Sequence, residues 1–208
     1  MVRIITIDRE YGSGGAAIAE QVATRLGWKL WDQRLTDEIA RRMDCERHAV
    51  EEREERRDPA TYRLFKAFLR GSFEGTVNTL RSKPVDADCI REAAEKIVKE
   101  VAEKGDCVIV GRGAAYYLGD RNDALHVFIY ALFEDKVHRL QATGKTQEEA
   151  TTLAEQVDVD RASFIREYFR VDWPERQRFH LMINSSMGEK LAVETILDAA
   201  ARMARQPA

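Results

Sequence analysis

The chain has 208 residues, a formal net charge of −3 and 33% charged residues. This length suits one α/β domain with a sizeable core. The negative charge argues against a general nucleic-acid binder, because phosphate contacts need a basic surface. No apolar run approaches the roughly 20 residues that cross a membrane, and the first residues show no signal peptide. We therefore expect a cytoplasmic protein without a nucleic-acid or membrane partner.

The first stretch of the chain, residues 2–19, predicts a strand, a glycine-rich turn and a helix in direct succession. Residues 4–7 are apolar and rich in isoleucine, and Gly12-Ser13-Gly14-Gly15 follows before the helical pattern begins. Glycines let the backbone approach an anion, and the first N–H groups of a helix point towards it. The pattern favours a phosphate-binding loop over an ordinary turn, since both flanking elements are present.

The next part of the chain completes one βαβ unit and then changes character. Gly27 ends the apolar stripe of the first helix, and residues 28–31 predict a short second strand, parallel to the first. No strand pattern appears between residues 36 and 84, where charged and amphipathic helical stretches alternate. We interpret this region as a helical insertion between strands two and three, suited to binding an acceptor.

The remainder of the chain alternates between helix and strand patterns. The predicted strands cover residues 107–110, 125–131 and 179–184. The predicted helices cover residues 89–104, 114–118, 134–142, 146–161 and 189–202. In the last helix we expect Leu191, Ile196, Leu197 and Ala200 to be buried. This alternation predicts a doubly wound α/β fold around a five-stranded parallel sheet.

Polar side chains follow several predicted strands at the end where such sheets bind ligands. Asp8, Asp32, Arg112 and Asn184 all occupy such positions. The two aspartates could hold a magnesium-bound water or a substrate hydroxyl, but strand-end aspartates also cap turns, and both interpretations stay open. Neither the three cysteines nor the four histidines have metal-ligand spacing, so we expect no protein metal cage.

Arginines form the second signal for phosphate. Arg112 lies in a Gly-x-Gly turn directly after a predicted central strand. Its planar guanidinium can make bidentate, charge-assisted bonds with phosphate. A second group is interleaved with aromatic residues and comprises Arg161, Arg166, Arg170, Arg176 and Arg178. The segment 157–178 predicts a lid that closes over a polyphosphate, although a solvated helix face can have the same composition.

Six segments of the chain resemble the cytidylate kinase-like family, whose members are relatives of the nucleoside monophosphate kinases in the P-loop group. These segments are Ile5-Thr-Ile-Asp-Arg-Glu-Tyr-Gly-Ser-Gly-Gly15, Leu30-Trp-Asp32, Val108-Ile-Val-Gly-Arg-Gly113, Leu125-His-Val-Phe-Ile-Tyr130, Val157-Asp-Val-Asp-Arg-Ala162 and Ile183-Asn-Ser-Ser186. The resemblance extends over residues 2–197, which is nearly the whole chain.

The resemblance implies a phosphotransferase that uses ATP and Mg²⁺ and acts on small nucleotides. The residues implied to wrap the donor phosphates are Gly12, Ser13, Gly14, Gly15, Ala16 and Ala17. Asp32 and Arg112 match positions that bind the acceptor nucleotide, while Lys136 and Arg139 lie on a helix that faces phosphate. The lid residues implied to reach the transferring phosphoryl group are Asp160, Arg161, Arg166 and Arg170.

The resemblance also shows where the chain departs from the phosphate-binding loop of true cytidylate kinases. Arg9 replaces the first glycine of that loop, Gly15 replaces its lysine, and Ala17 replaces its magnesium-ligating threonine. Gly113 replaces the aspartate that follows the acceptor-binding arginine. Losing a transition-state cation costs several orders of magnitude in rate. Arg9 could return the charge, and Ser13 is the less suitable source of a hydroxyl.

We therefore expect ATP-dependent phosphoryl transfer to a nucleoside monophosphate, cytidylate-like, or to a similar small phosphorylated acceptor, with Arg9 as one of the catalytic residues. The alternative is a non-catalytic nucleotide-binding or sensing module that has lost the P-loop lysine. A helical oligomerisation or adaptor protein is a third hypothesis, which the polar residues at the strand ends disfavour. The sequence favours no particular oligomeric state.

Overall fold

The computed structural model describes residues 1–32, 34, 35, 38 and 87–203. The helical insertion predicted for residues 36–84 lies outside these residues, apart from residue 38. None of the helices in the described ranges is long and apolar enough to cross a membrane.

Five parallel strands form the centre of the fold. They are β1 (Ile4–Arg9), β2 (Lys29–Trp31), β3 (Cys107–Val110), β4 (Ala124–Tyr130) and β5 (Leu181–Asn184). Their order in the sheet is β2-β3-β1-β4-β5. β1 is central and pairs with β3 and β4, with Ile7 beside both Val110 and Val127. The predicted five-stranded parallel sheet is confirmed.

Helices cover both faces of this sheet, as the doubly wound architecture requires. The helices of the described residues are α1 (Gly15–Leu26), α2 (Ala87–Lys104), α3 (Ala114–Tyr117), α4 (Phe133–Ala142), α5 (Gln147–Phe169) and α6 (Glu189–Met203). α1 and α6 bury their apolar sides against Ile5 and Ile7 of β1. α2, α3 and the end of α5 pack on the opposite face around Ile4 and Ile109.

Helix α5 begins as the sequence predicts and continues beyond the predicted end. Its first turn is closed by a capping box, in which Glu149 N–H donates to Thr146 Oγ1 at 3.2 Å and Thr146 N–H donates to Glu149 Oε2 at 2.8 Å. The helix then runs without a break to Phe169, because Phe164 and Ile165 are buried against the sheet. The first half of the segment predicted as a lid is therefore part of this helix.

One predicted core residue of α6 is exposed. Leu191 keeps 49% of its surface accessible, whereas Ala192, Ile196 and Ala200 are buried. The buried positions are four residues apart and define one helix face. Leu191 lies beside that face, so the expectation that it joins the core is wrong.

The sheet also buries a histidine, His126, which is hydrogen-bonded within the fold. His126 on β4 is 1% exposed, and its Nδ1 shares a hydrogen bond of 2.7 Å with Thr6 Oγ1. The backbone N–H of His126 donates to His180 Nδ1 at 2.9 Å, and the two imidazole rings are stacked. Burial, and secondarily the neighbouring His180, lower the pKa of His126 to about 4. The imidazole is therefore neutral in the folded protein at neutral pH.

This depressed pKa predicts a loss of stability in mild acid. In the unfolded chain His126 regains an ordinary pKa near 6.5, so the unfolded state binds more protons between about pH 6.5 and 4. The free energy of unfolding should fall across this window as pH decreases, by up to about 3 kcal/mol in total. His126→Asn, which has no titrating ring, should show a flatter pH dependence in thermal unfolding. His138→Asn, an exposed matched control, should behave like the parent protein.

Candidate active site

The glycine-rich loop between β1 and α1 has the backbone of an anion-binding turn. Gly12 and Gly14 adopt left-handed conformations, with φ of 77° and 75°. The first hydrogen bond of α1 runs from Ile18 N–H to the Gly14 carbonyl. The N–H groups of the preceding helical residues have no acceptor within the helix and face the loop. Together with the helix dipole they create a positive end suited to phosphate.

Side chains from other elements hold this loop in place. Ser13 Oγ donates to the Glu10 carbonyl at 2.8 Å, and Ser185 Oγ donates to the Ser13 carbonyl at 2.5 Å. Arg139 of α4 donates to the Gly12 carbonyl at 3.4 Å and to the Ser185 carbonyl at 3.3 Å. The Ser13 hydroxyl is thus buried and used inside the turn, where it stabilises the loop and faces away from a ligand.

A cleft of about 980 Å³ opens in front of the loop. Its loop lining consists of Gly12, Gly14, Gly15, Ala16 and Ala17, which includes every predicted donor-site residue of the loop except Ser13. Its charged lining includes Arg9, Glu10, Asp32, Arg34, Arg139 and Arg161. The cleft therefore brings together the loop, the end of β1, the end of β2 and the middle of α5.

Three buried guanidinium groups converge at this end of the sheet. Arg9 and Arg112 are 4% and 7% exposed, and Arg161 is nearly as buried. Burial, then the charge of Arg9, lower the pKa of Arg112 to about 9, while Asp32 partly opposes the shift. Burial and Arg9 likewise lower the pKa of Arg161 to about 10. Arg112 and Arg161 therefore stay charged at neutral pH, and a bound anion would relieve the repulsion between the guanidinium groups.

The turn after β3 presents Arg112 in an unusual conformation. Gly111, Arg112 and Gly113 all have positive φ, at 63°, 58° and 72°. A non-glycine residue in this region carries a conformational strain of about 1–2 kcal/mol. Arg112 is buried behind the cleft wall, where its charge interacts with Arg9, Asp32 and Arg161.

Asp158 connects α5 to the loop and to α4. Its Oδ1 accepts from Tyr11 N–H at 2.8 Å, and its Oδ2 accepts from Lys136 Nζ at 2.7 Å. Lys136 Nζ also donates to Glu10 Oε2 at 3.3 Å. Arg161, one turn further along α5, lies 3.4 Å from Asp158 and donates to the Arg9 carbonyl at 2.7 Å. Asp158 thereby fixes the position of Arg161 relative to the loop.

The sequence prediction missed Asp158 and instead selected its neighbour Asp160. Asp160 accepts a hydrogen bond from Gln156 on the solvent side of α5. The signal that separates the two aspartates is the apolar stripe of Ala154, Val157 and Phe164, all buried. That stripe sets the inward face of the helix, and Asp158 adjoins it.

The remaining predicted polar residues have different surroundings. Asp8 accepts from the backbone N–H of Arg9 and from Trp173 Nε1, both at 3.0 Å, and is not part of the cleft lining. Its position fits the capping role. Arg166 and Arg170 are exposed and pair with Asp172 and Glu167. The structure therefore places Arg9, Arg139 and Arg161 in the cleft lining. Arg112 lies behind the lining, beside Arg9 and Asp32, and Arg166 and Arg170 lie outside it.

A metal cage is not part of this site among the residues that the structure describes, where no group of three or more His, Cys, Asp or Glu side chains could hold an ion. The Ser13 hydroxyl is directed to the Glu10 carbonyl, and the Asp8 carboxylate is directed to Trp173. Of the carboxylates that line the cleft, Asp32 lies 3.9 Å from Arg9 Nη2 and Glu10 accepts from Lys136 Nζ. These side chains do not fit a magnesium site built by the protein alone.

Solved structures share this architecture. An uncharacterized protein from Eubacterium ventriosum ATCC 27560 matches with 20% identity and a TM-score of 0.68, covering 97% of this chain and 99% of that chain. Shikimate kinase from Acinetobacter baumannii in complex with shikimate matches with 16% identity and a TM-score of 0.53, covering 99% and 97%. Shikimate kinase from Bacteroides thetaiotaomicron matches with 16% identity and a TM-score of 0.52, covering 94% and 96%. These similarities show the fold of the P-loop kinases.

The comparison with curated proteins found no match. A family model gives the more specific result, because the model of the cytidylate kinase-like family matches residues 4–187. This match spans the loop, the strained turn, α5 and the end of β5, and it confirms the resemblance found in the sequence. The family and the fold together indicate a kinase-like, nucleotide-binding phosphotransferase. The chain belongs to the cytidylate kinase-like family.

Proposed function

We propose that the protein transfers the γ-phosphoryl group of ATP to a nucleoside monophosphate, cytidylate-like, or to a similar small phosphorylated acceptor. The observation that carries this proposal is the convergence of Arg9, Arg112 and Arg161 beside a glycine-rich helix N-terminus. Asp32 and Asp158 offset part of this positive charge, and a poorly hydrated site with three guanidinium groups still favours a bound polyanion. Two phosphorylated substrates would supply that negative charge.

The donor would lie along the glycine-rich loop. Its β- and γ-phosphates would accept hydrogen bonds from the N–H groups at the start of α1, around residues 14–17, where the helix dipole is positive. Arg139, which already bridges Gly12 and Ser185, would neutralise further charge on the donor side. Mg²⁺, which would stabilise the charge on the phosphates, would be bound mainly by those phosphates and by water.

The acceptor phosphate would lie between Arg112 and Asp32. One of its oxygens attacks the γ-phosphorus, the bond from that phosphorus to the β,γ-bridging oxygen breaks, and ADP leaves with the electron pair. Because the attacking phosphate is already ionised, no general base is needed. Positioning and charge neutralisation by arginines provide the catalysis.

The lid would complete the site after both substrates are bound. Arg161 donates to the Arg9 carbonyl, which supports a position near the transferring group. Arg166 and Arg170 would approach the phosphates only after a movement of the segment 157–178. The insertion 36–84 would cover the acceptor.

A non-catalytic nucleotide sensor is the second candidate, and the loop composition favours it. Gly15 and Ala17 stand where P-loop kinases carry their lysine and magnesium-ligating hydroxyl. Such a sensor would retain the phosphate-binding backbone and lose the transfer reaction.

A screen of phosphorylated acceptors separates the two candidates. ADP release would be measured with ATP, Mg²⁺ and each common ribo- and deoxynucleoside monophosphate, alongside calorimetric binding of ATP. We expect binding and turnover with one acceptor class well above the hydrolysis measured without acceptor. Binding without turnover on any acceptor would support the sensor, and absence of ATP binding would contradict both candidates.

A further inference from the structure

The side chain of Arg9 follows a path that connects the donor loop with the strained turn. Arg9 is the last residue of β1, and its first carbons pass directly over Gly15 at the start of α1. Its guanidinium continues to Gly111, where it packs against the glycine backbone, and its Nη2 lies 3.9 Å from Asp32. One cation thus extends from the donor side of the cleft to the acceptor side.

Gly15 is a glycine for reasons of space. A Cβ at Gly15 would lie 2.8 Å from Arg9 Cβ and 2.9 Å from Arg9 Cγ, closer than such atoms pack. The overlap involves carbons next to the Arg9 backbone, which cannot swing away as the end of a flexible side chain can. Gly15 is also the first residue of α1 and does not have the positive φ of Gly12 and Gly14. The backbone conformation at position 15 therefore does not require glycine. The overlap with Arg9 explains why the residue has no side chain.

Gly111 contributes the second part of this path. A Cβ there would overlap Arg9 Nη1, and the residue also has a φ of 63°. The two glycines therefore leave room for both ends of one arginine. A P-loop carries its lysine at position 15. In this chain, the space next to the Gly15 backbone is filled by the first carbons of the Arg9 side chain.

Two nearby cations, Lys136 and Arg139, are already bound to other groups. Lys136 Nζ donates to Asp158 and Glu10, and Lys136 is not part of the cleft lining. Arg139 lines the cleft, but its guanidinium donates to the carbonyls of Gly12 and Ser185. Arg9 lines the cleft between the glycine-rich loop and Asp32.

We infer that the catalytic cation of the phosphate-binding loop has moved from position 15 to Arg9, and that Gly15 is the steric counterpart of this exchange. The inference rests on the proposed function and specifies its chemistry. Arg9 contacts the transferring phosphoryl group and stabilises the charge that develops on it, as the loop lysine does in a P-loop. The loop is therefore an alternative form of the catalytic P-loop rather than a degenerate one.

An exchange experiment tests this inference with four variants. Arg9→Met keeps the length of the side chain and removes its charge, and Gly15→Ala keeps the charge and displaces it. Each should lower the turnover number for phosphoryl transfer about 10²–10³-fold. Arg9→Gly should do the same, whereas Arg9→Gly combined with Gly15→Lys returns a cation from the other side and should recover at least tenfold over Arg9→Gly alone.

Controls separate the outcomes. Arg202→Ala, an exposed change on α6, should leave turnover at the parental level, and circular dichroism should show that every variant is folded. If the parent neither binds ATP nor transfers phosphate, the proposed function fails and the inference fails with it. If the parent is active and Arg9→Met stays within threefold of it, the function stands and the inference is overturned. If Arg9→Gly combined with Gly15→Lys has a turnover number no higher than that of Arg9→Gly alone, the inference is also overturned.

Discussion

Replacing Arg112 with glycine is expected to reduce phosphoryl transfer about 10³-fold or more without destabilising the fold. The expected loss follows from removal of the charge that we propose binds the acceptor phosphate. Stability should be maintained because glycine adopts a φ of 58° without strain. The variant also removes one of three buried like charges. The measurements are kcat/KM for the acceptor and the free energy of unfolding in urea.

Two matched variants sharpen this prediction. Arg112→Ala removes the same charge but keeps a Cβ in the left-handed region, so it should be less stable than Arg112→Gly by about 1 kcal/mol. Arg112→Lys keeps a charge without the bidentate fork and should retain part of the activity. A destabilisation above about 3 kcal/mol in Arg112→Gly would instead indicate a structural role, since that is the range for breaking a buried ion pair.

Asp158→Ala is expected to have the largest effect on stability. The change removes the acceptor of Lys136 Nζ and of Tyr11 N–H, and it leaves a lysine that is 6% exposed with Glu10 as its remaining carboxylate. Removing one partner of a buried pair costs about 3–5 kcal/mol. We expect the lower end of this range because Glu10 remains, which corresponds to a decrease of roughly 10 °C in Tm.

The origin of this loss can be tested in the same background. Asp158→Ala combined with Lys136→Met removes both charges and should recover much of the lost stability, because no uncompensated lysine remains. Asp158→Ala should also lower turnover, because Arg161 loses its neighbouring carboxylate. The double variant still lacks Asp158, so it should not recover turnover. If the double variant is as unstable as the sum of the two single variants, the pair is not coupled.

Most of the fold could be predicted because local signals agreed with the global arrangement. The β-branched runs of β1 and β3 are buried on both faces, and Gly27 ends α1 with a φ of 67°. The end of α5 could not be predicted in the same way. Its stripe of Phe164 and Ile165 is interrupted by charged residues, and only packing against α2 and α3 shows that the helix continues.

The candidate site was predictable where the signal was local in sequence. The glycines of the loop and the Gly-Arg-Gly turn could be recognised directly, because both follow predicted strands. The path of Arg9 between Gly15 and Gly111 could not, since it joins residues about one hundred positions apart. Asp158 was missed because its importance comes from Tyr11 and Lys136, which are distant in sequence and adjacent only after folding.

Arg9 belongs to the central strand β1, and this position determines how much it moves when other parts of the site open. β1 is hydrogen-bonded to strands on both sides, so its amide hydrogens should exchange with solvent only through global unfolding. A cation attached to this strand keeps its backbone position when α5 or the glycine-rich loop opens locally. Under the proposed function, this charge would stay in place while substrates enter and products leave, so little reorganisation would be needed for the reaction.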